Sequence, residues 1–315
     1  YSNDYTYNAD GNMIKKVCSE NGEVTATLDC TYDSNGNCIK EEWSYPDETK
    51  DVFTKEYDEN GEPVILETGT LEFKDVTFSY PDSSGEVVLS NINLKINKGE
   101  KIGVLGSTGC GKSTLVKLIA RFYDTTSGNV YIDGIDVKDY KFRALRNKVA
   151  VVLQKSELFS GTIKDNICWG KEDATMEEVE YAAKIAQADT FINGFVDKYD
   201  TYVAEKGASL SGGQKQRISI ARALIKKPEI LVFDDSTSAL DLQTEAKLYQ
   251  AINNDLKDLT IITIAQRVAS VKNADKIVVF NDGTITDIGT HEELIKNSPT
   301  YIDIYNSQLK KEGDE

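Results

Sequence analysis

Three glycines, a lysine and four hydroxyl residues fall within nine positions: Gly106-Ser107-Thr108-Gly109-Cys110-Gly111-Lys112-Ser113-Thr114. Glycines at this spacing let backbone N–H groups approach phosphate oxygens, the lysine reaches the outer phosphates, and the Ser113 hydroxyl is placed for Mg²⁺. The run predicts a nucleoside triphosphate site, for ATP or GTP. Further along, Leu210-Ser211-Gly212-Gly213-Gln214 offers a hydroxyl, two backbone N–H groups without side chains in the way, and the start of a helix. The positive end of that helix favours an anion, so this is a second phosphate-binding element. Its plainer alternative is a helix cap followed by nothing chemical. Cys110, inside the cradle and near a helix N-terminus, reads either as a reactive thiol or as a small loop side chain without chemistry. Alkylation there is predicted to block ATP, and MgATP to protect it.

A cradle of this type needs a strand before it and a helix after it. Gly103-Val104-Leu105 ends such a strand, and residues 113–122 carry helical periodicity. Upstream, Leu71, Phe73, Val76, Phe78 and Tyr80 alternate as a strand, and residues 87–96 form another before Gly99. The apolar runs 149–153, 230–233, 261–264 and 277–280 read as strands, the later three as buried parallel ones. Residues 176–196 and 214–226 read as helices, an inserted lobe headed by the Ser-Gly-Gly element. The expected fold class is α/β: a P-loop NTPase core with an antiparallel β-subdomain and an inserted helical lobe, preceded by a small all-β meander.

Residues 1–66 read differently. Tyr7-Asn8-Ala9-Asp10-Gly11-Asn12, Tyr32-Asp33-Ser34-Asn35-Gly36-Asn37 and Tyr57-Asp58-Glu59-Asn60-Gly61-Glu62 repeat with their tyrosines 25 apart. Asn-Gly and Asp-Gly favour tight hairpin turns, and Asn21-Gly22 and Pro46-Asp47 add turns midway, so a meander of short strands is expected. The segment resembles the Tyr-Asp repeat modules common in bacterial surface proteins, and no chemistry is assigned to it. The boundaries expected are 1–66 for this repeat and 67–315 for the remainder.

Charge separates the same two parts. The 315 residues carry a net −16; residues 1–66 hold 15 acidic and 5 basic side chains, leaving −6 for the rest. Such acidity argues against nucleic acid as a partner, because phosphate backbones select Lys- and Arg-rich surfaces. No stretch approaches the roughly 20 apolar residues of a membrane-spanning helix, and no signal segment opens the chain. Tyr1 rather than Met comes first, as it would in a piece of a longer protein. Five cysteines give an odd count without metal spacing and read as reduced or incidental.

Residues 67 to about 310 resemble the nucleotide-binding domain of an ABC transporter of the exporter branch. The resemblance rests on the cradle, on the Leu210–Gln214 signature, on Leu158-Phe159-Ser160-Gly161-Thr162-Ile163-Lys164-Asp165-Asn166-Ile167, and on Val203-Ala204-Glu205-Lys206-Gly207. It implies that Tyr80 stacks on adenine, that Gln154 touches Mg²⁺ and senses a transmembrane partner, and that Glu205 faces a coupling helix. It implies Asp234 as the Walker B aspartate orienting Mg²⁺. It also implies that Ser211, Gly212, Gly213 and Gln214 act in trans on ATP held by a second cassette, and that Ser238-Ala239-Leu240-Asp241 is the D-loop crossing that dimer.

Two positions depart from the family's pattern. Where the family has a glutamate base stands Asp235, one methylene shorter, so its carboxylate falls about 1 Å short, a displacement that can cost around 10²-fold. Where the family has a switch histidine stands Gln266. The chain's one histidine, His291, lies in Gly289-Thr290-His291-Glu292-Glu293-Leu294 and cannot substitute by position. The resemblance therefore implies the ATP-binding subunit of an exporter, at the cytoplasmic face of the cell membrane. Its own site is degenerate, and its partner is a second cassette, in a heterodimer, carrying the catalytic Glu and His beside transmembrane domains. The alternatives are a competent homodimeric exporter ATPase, a soluble ABC ATPase acting on ribosomes or DNA, and a regulatory ATP sensor. Residues 1–66 sit awkwardly with an exporter and read as a natural fusion, an engineered one, or a joining of unrelated sequence.

Overall fold

Strands and helices are formed where hydrophobic period and turn residues agree. A computed structural model describes residues 2–32, 36, 38–46, 50–54, 56–57, 63–64, 68–81 and 85–313. The first part is an antiparallel meander of β1 (Ser2–Tyr7), β2 (Met13–Glu20), β3 (Glu23–Tyr32), β4 (Cys38–Ser44) and β5 (Lys50–Thr54), paired in that order. Asn21 and Gly22 both take positive φ, 52° and 88°, and join Glu20 to its partner Glu23, the primed turn that Asn-Gly favours. The Asp10-Gly11 turn is looser than expected: only Gly11 has positive φ, and the Asn8 side-chain oxygen accepts from the Asp10 and Asn12 amides at 3.0 and 2.9 Å. The connection thus spans five residues, braced by an Asx contact. Asn35, Asp47, Asn60 and Gly61, on which three further predicted turns depend, lie outside the described residues. The repeat tyrosine Tyr32 ends β3 and donates its hydroxyl to Met13 O at 2.8 Å, tying one repeat to the previous one. The short pair β6 (Glu56–Tyr57) and β7 (Pro63–Val64) follows.

An antiparallel sheet of order β12-β11-β8-β9 comes next, from β8 (Leu71–Phe78), β9 (Leu89–Ile96), β11 (Ser127–Ile132) and β12 (Ile135–Asp136). Leu71, Phe73, Val76 and Phe78 are all inside; the expected alternation is interrupted between Phe73 and Val76, where the register shifts and Asp75 takes φ 51°. This sheet packs against a central one whose strands are β13 (Val149–Val152), β16 (Ile230–Asp234), β17 (Thr260–Ala265), β10 (Lys101–Gly106), β18 (Lys276–Asn281) and β19 (Thr284–Gly289), in that order. All pair in parallel except β19, an antiparallel edge. Every residue of β16 and β17 is buried, as parallel strands covered on both faces require. The two-residue strands β14 (Gly161–Thr162) and β15 (Tyr202–Val203) pair near the helical part.

Helix α1 (Lys112–Ile119) follows β10, and α2 (Phe142–Lys148) leads into β13. Between β13 and β16 are α3 (Ile163–Cys168), α4 (Met176–Ile185), α5 (Asp189–Ile192) and α6 (Gly212–Leu224), sharing one core with α7 (Leu242–Asp255). Three helix boundaries differ from expectation. α1 stops before Phe122, with Arg121 at φ 49°, and 176–196 breaks in two where Gln187 takes φ 59°. α6 begins two residues early because Ser211 caps it. Helices α8 (His291–Asn297) and α9 (Pro299–Gly313) close the chain. Among the described residues no helix is long and apolar enough to cross a membrane.

Candidate functional site

The loop between β10 and α1 leaves no room for side chains at two glycines. A Cβ on Gly106 would stand 2.4 Å from Phe280 O, and one on Gly111 would stand 2.7 Å from Leu89 Cδ2 with φ at +103°. α1 then starts without a side-chain cap and without an acidic residue in its first turn. Its first N–H groups and its dipole are therefore left for an anion. Lys112 is buried; its ammonium donates to Gly106 O at 2.8 Å and Ser107 O at 2.7 Å and lies 3.6 Å from Cys110 Sγ. Cys110 is only 5% exposed and belongs to the core beneath the loop. The expectation of a readily alkylated thiol is therefore corrected: the side chain points inward and a reagent must first open the cradle.

The Ser113 hydroxyl donates to Asp234 Oδ1 at 2.9 Å. Asp234 ends the fully buried β16, and that burial pushes its carboxyl above the usual range against the pull of Ser113 and the Lys112 and Lys117 charges. A hydroxyl, a carboxylate and the nearby Gln154 amide make a set of hard oxygen donors that fits Mg²⁺.

Three neighbouring parallel strands, β13, β16 and β17, deliver Gln154, Asp235 and Gln266 from their C-terminal ends. Asp235 takes φ 50° and donates its backbone N–H to Ile264 O at 2.9 Å. Its Oδ2 accepts from Gln154 Nε2 at 2.8 Å and from Gln266 Nε2 at 3.0 Å. Burial pushes this carboxyl up as well, and the adjacent Asp234 charge adds to it while the Gln266 bond opposes it.

Tyr80, just past β8, meets Phe78 and Tyr123 edge-on, with centroids 4.9 and 5.2 Å away. Its hydroxyl is 2.9 Å from Thr114 Oγ1 and accepts from Lys117 at 3.1 Å, so the ring is fixed to α1. A cleft of about 330 Å³ gathers Tyr80, Lys112, Ser113, Gln154, Asp234, Asp235 and Gln266 with Thr108, Gly109, Gly111 and Thr114. Gly106, Ser107 and Cys110 of the predicted set do not line it; they form its floor and supports. Val88 and Ile264 do line it and carry no sequence signal beyond being apolar.

The signature and the D-loop are not brought into this cleft. Ser211 Oγ accepts from Gln214 N at 3.2 Å while Gln214 Oε1 accepts from Ser211 N at 2.9 Å, a reciprocal cap on α6. Gly213 abuts the D-loop, a Cβ there being 3.2 Å from Ala239 O. Leu240 is buried, Asp241 caps α7 through Thr244 N at 2.9 Å, and Ser238 Oγ donates to Asp235 O at 2.7 Å. The Glu205 side chain lies outside the described residues. His291 is engaged elsewhere, its Nδ1 2.7 Å from the Tyr301 hydroxyl.

Sequence reading missed the tie between the Gln154 loop and the signature helix. Buried Gln216 hydrogen-bonds the Ser156 hydroxyl and reaches Leu153 O at 3.5 Å. Arg222, on the same helix, donates to Glu157 O at 3.1 Å and to Asn166 O and Oδ1 at 2.8 and 2.9 Å. A glutamine on the buried face of an amphipathic helix was the available signal. Alongside runs a groove of about 550 Å³ that includes Leu153, Lys155 and Arg222, with Phe159 and Trp169 stacked at 4.3 Å. These two rings are 45% and 62% exposed.

Residues 89–238 match a family model described as "ABC transporter". Over 240 residues, 76% of the chain and 41% of the relative, it is 49% identical to "Putative multidrug export ATP-binding/permease protein YgaD" of Bacillus subtilis (strain 168). A second relative from that organism, "Uncharacterized ABC transporter ATP-binding protein YfiB", is 48% identical over 248 residues, 79% of this chain and 43% of its own length. The chain thus spans about two fifths of these relatives. Among solved structures it resembles "Structure of a bacterial Atm1-family ABC exporter with ATP bound", with TM-score 0.74 and 35% identity over 78% of this chain and 42% of that one.

Proposed function

We propose that this chain, whose residues 89–238 match the ABC transporter family model, is the ATP-binding subunit of an ABC exporter whose own site binds ATP but hydrolyses it weakly. The observation that carries the weak-site reading is the corner in which Asp235 Oδ2 is held by two amides, Gln154 at 2.8 Å and Gln266 at 3.0 Å. A base must take a proton from water and a partner must stabilise the charge that develops. Amide N–H groups hold the carboxylate in place and offer no group that titrates near neutral pH.

Lys112 leaves the carbonyls of Gly106 and Ser107 to meet the outer phosphates, and the cradle N–H groups hold the inner ones. Ser113, Asp234 and Gln154 would hold Mg²⁺, which neutralises charge on the phosphate oxygens. Tyr80 supports the base, with its hydroxyl fixed by α1. Ser211, Gly212, Gly213 and Gln214 serve ATP on a second cassette, and Ser238 to Asp241 cross to it. That cassette supplies the Glu and His this chain lacks.

Residues 67–315 form the cassette in this reading and residues 1–66 a separate β-repeat unit without chemistry. In this reading transmembrane domains dock in the groove edged by Phe159 and Trp169, whose exposure supports the choice, and the chain works at the cytoplasmic face of a membrane. Gln216 and Arg222 couple that groove to the signature helix. The reading is tested by steady-state ATPase activity of residues 67–315 at high protein concentration, beside Asp235→Glu with Gln266→His. Binding without turnover, and turnover regained in the double variant, supports a degenerate half. Full turnover in the parent replaces it with a self-sufficient homodimer.

A further inference from the structure

A second cleft, away from the phosphates, lies between α7 and the turn that follows Gln266. Leu242, Glu245, Ala246, Tyr249, Gln250 and Asn253 line it from α7. Their spacing of three and four residues places them on one helix face. Ile102, Ile261 and Val271 form part of the opposite wall, and the volume is about 420 Å³, within the range of roughly 300–1,000 Å³ common for small-molecule sites. On the α7 face Glu245 is 92% buried, and its Oε1 has no hydrogen-bond partner among the described residues. The Tyr249 hydroxyl, its neighbour on the same face, is engaged with Thr263 Oγ1 at 3.0 Å. A buried carboxylate oxygen left unpaired is costly; a small rotation of the Glu245 side chain toward the cleft, met there by a donor on a ligand, removes that cost.

We infer that this cleft binds a small organic molecule carrying one ammonium group on an apolar stem, the ammonium pairing with Glu245. The charge choice follows from the carboxylate, and the stem from the aliphatic walls. The site has a regulatory position: α7 is capped by Asp241, the last D-loop residue, and the facing turn, Val268–Ser270, starts two residues after Gln266. A bound molecule joins the two segments and shifts turnover in the assembled protein.

The test uses the full chain without nucleotide, with n-hexylammonium and hexanoate as probes and backbone amide NMR shifts as the reading. Saturable shifts at Ala246, Tyr249 and Val271 with hexylammonium, none with hexanoate, are expected. Glu245→Gln should weaken the amine by about 10-fold or more, and Ala246→Trp should abolish its binding by filling the cleft. ATP affinity measured on each variant confirms an intact fold and keeps the result separate from the nucleotide reading. The inference is overturned if the amine gives no saturable shift, if hexanoate binds equally, or if Glu245→Gln leaves the amine affinity unchanged.

Discussion

The two halves of the nucleotide cleft are built on different terms. On the cradle side, Gly106 and Gly111 tolerate no side chain, α1 offers its uncapped N-terminus, and Lys112 and Ser113 sit on groups they can exchange for phosphate and metal. On the opposite side, Asp235 is tied to two amides, Gln154 and Gln266. On the function proposed above, one half holds a triphosphate while the other is poorly equipped to break it. Binding and hydrolysis draw on separate residues, so one can be retained in a sequence while the other fades.

The sharpest way to break this contrast is to repair the corner. Asp235→Glu with Gln266→His is expected to raise kcat by roughly 10²-fold, the lower end of what a placed base and its partner supply, with ATP affinity little changed. Coupled-assay turnover beside equilibrium nucleotide binding checks both parts. Equal turnover in parent and double variant would erase the distinction between the halves.

The converse change attacks the cradle. Lys112→Ala removes charge-assisted contacts to the outer phosphates and should weaken ATP by roughly 10-fold to 100-fold. Calorimetric titration reads it, and ADP should lose less than ATP if Lys112 serves the outermost phosphate. A variant that binds ATP as well as the parent would show that the glycine N–H groups alone hold the triphosphate.

Much of the cradle was legible because its chemistry is local. Gly106, Gly111, Lys112 and Ser113 occupy fixed offsets in one loop, and the strand before and helix after follow from period alone. The place of Asp234 at the polar end of an apolar strand was legible locally, whereas its role came only from the family resemblance. The Gln154–Asp235–Gln266 contact was not: it joins positions 81 and 31 residues apart, and only the neighbouring order β13-β16-β17 makes them adjacent. Reading 176–196 as a single helix failed because apolar periodicity continues through Gln187 while its backbone turns left-handed. Cys110 misled for a related reason, since loop membership says nothing about which way a side chain faces. The orphaned oxygen of Glu245 had no sequence signal at all, because a glutamate on a helix reads as solvated until the packing is known.

A smaller effect separates the signature from the chain's own cleft. Ser211 caps α6, so Ser211→Ala should cost about 1 kcal/mol of stability, seen as a Tm lower by roughly 2–4 °C for a domain of this size. Because the signature does not line the cleft, ATP affinity of the isolated chain should be unchanged. A fall in affinity equal to that of Lys112→Ala would place the signature at the chain's own phosphates.

The smallest expected effect concerns pH and the corner alone. Asp235 carries a carboxyl raised above its ordinary 3.8, chiefly by burial. Between that ordinary value and the raised one, the native chain holds a proton that the unfolded chain has already released. Stability therefore falls as pH rises through this window, and the loss persists above it. Asp235→Asn removes the ionisation while keeping an oxygen for the Gln154 and Gln266 amides. The nucleotide-free variant should melt slightly above the parent at pH 7 and level with it near pH 3, where the carboxyl is protonated in both states. Thermal scans across that range decide it. A variant less stable than the parent at pH 7 would mean that the two amide bonds outweigh desolvation, making the corner a well-paired carboxylate and narrowing the contrast with the cradle.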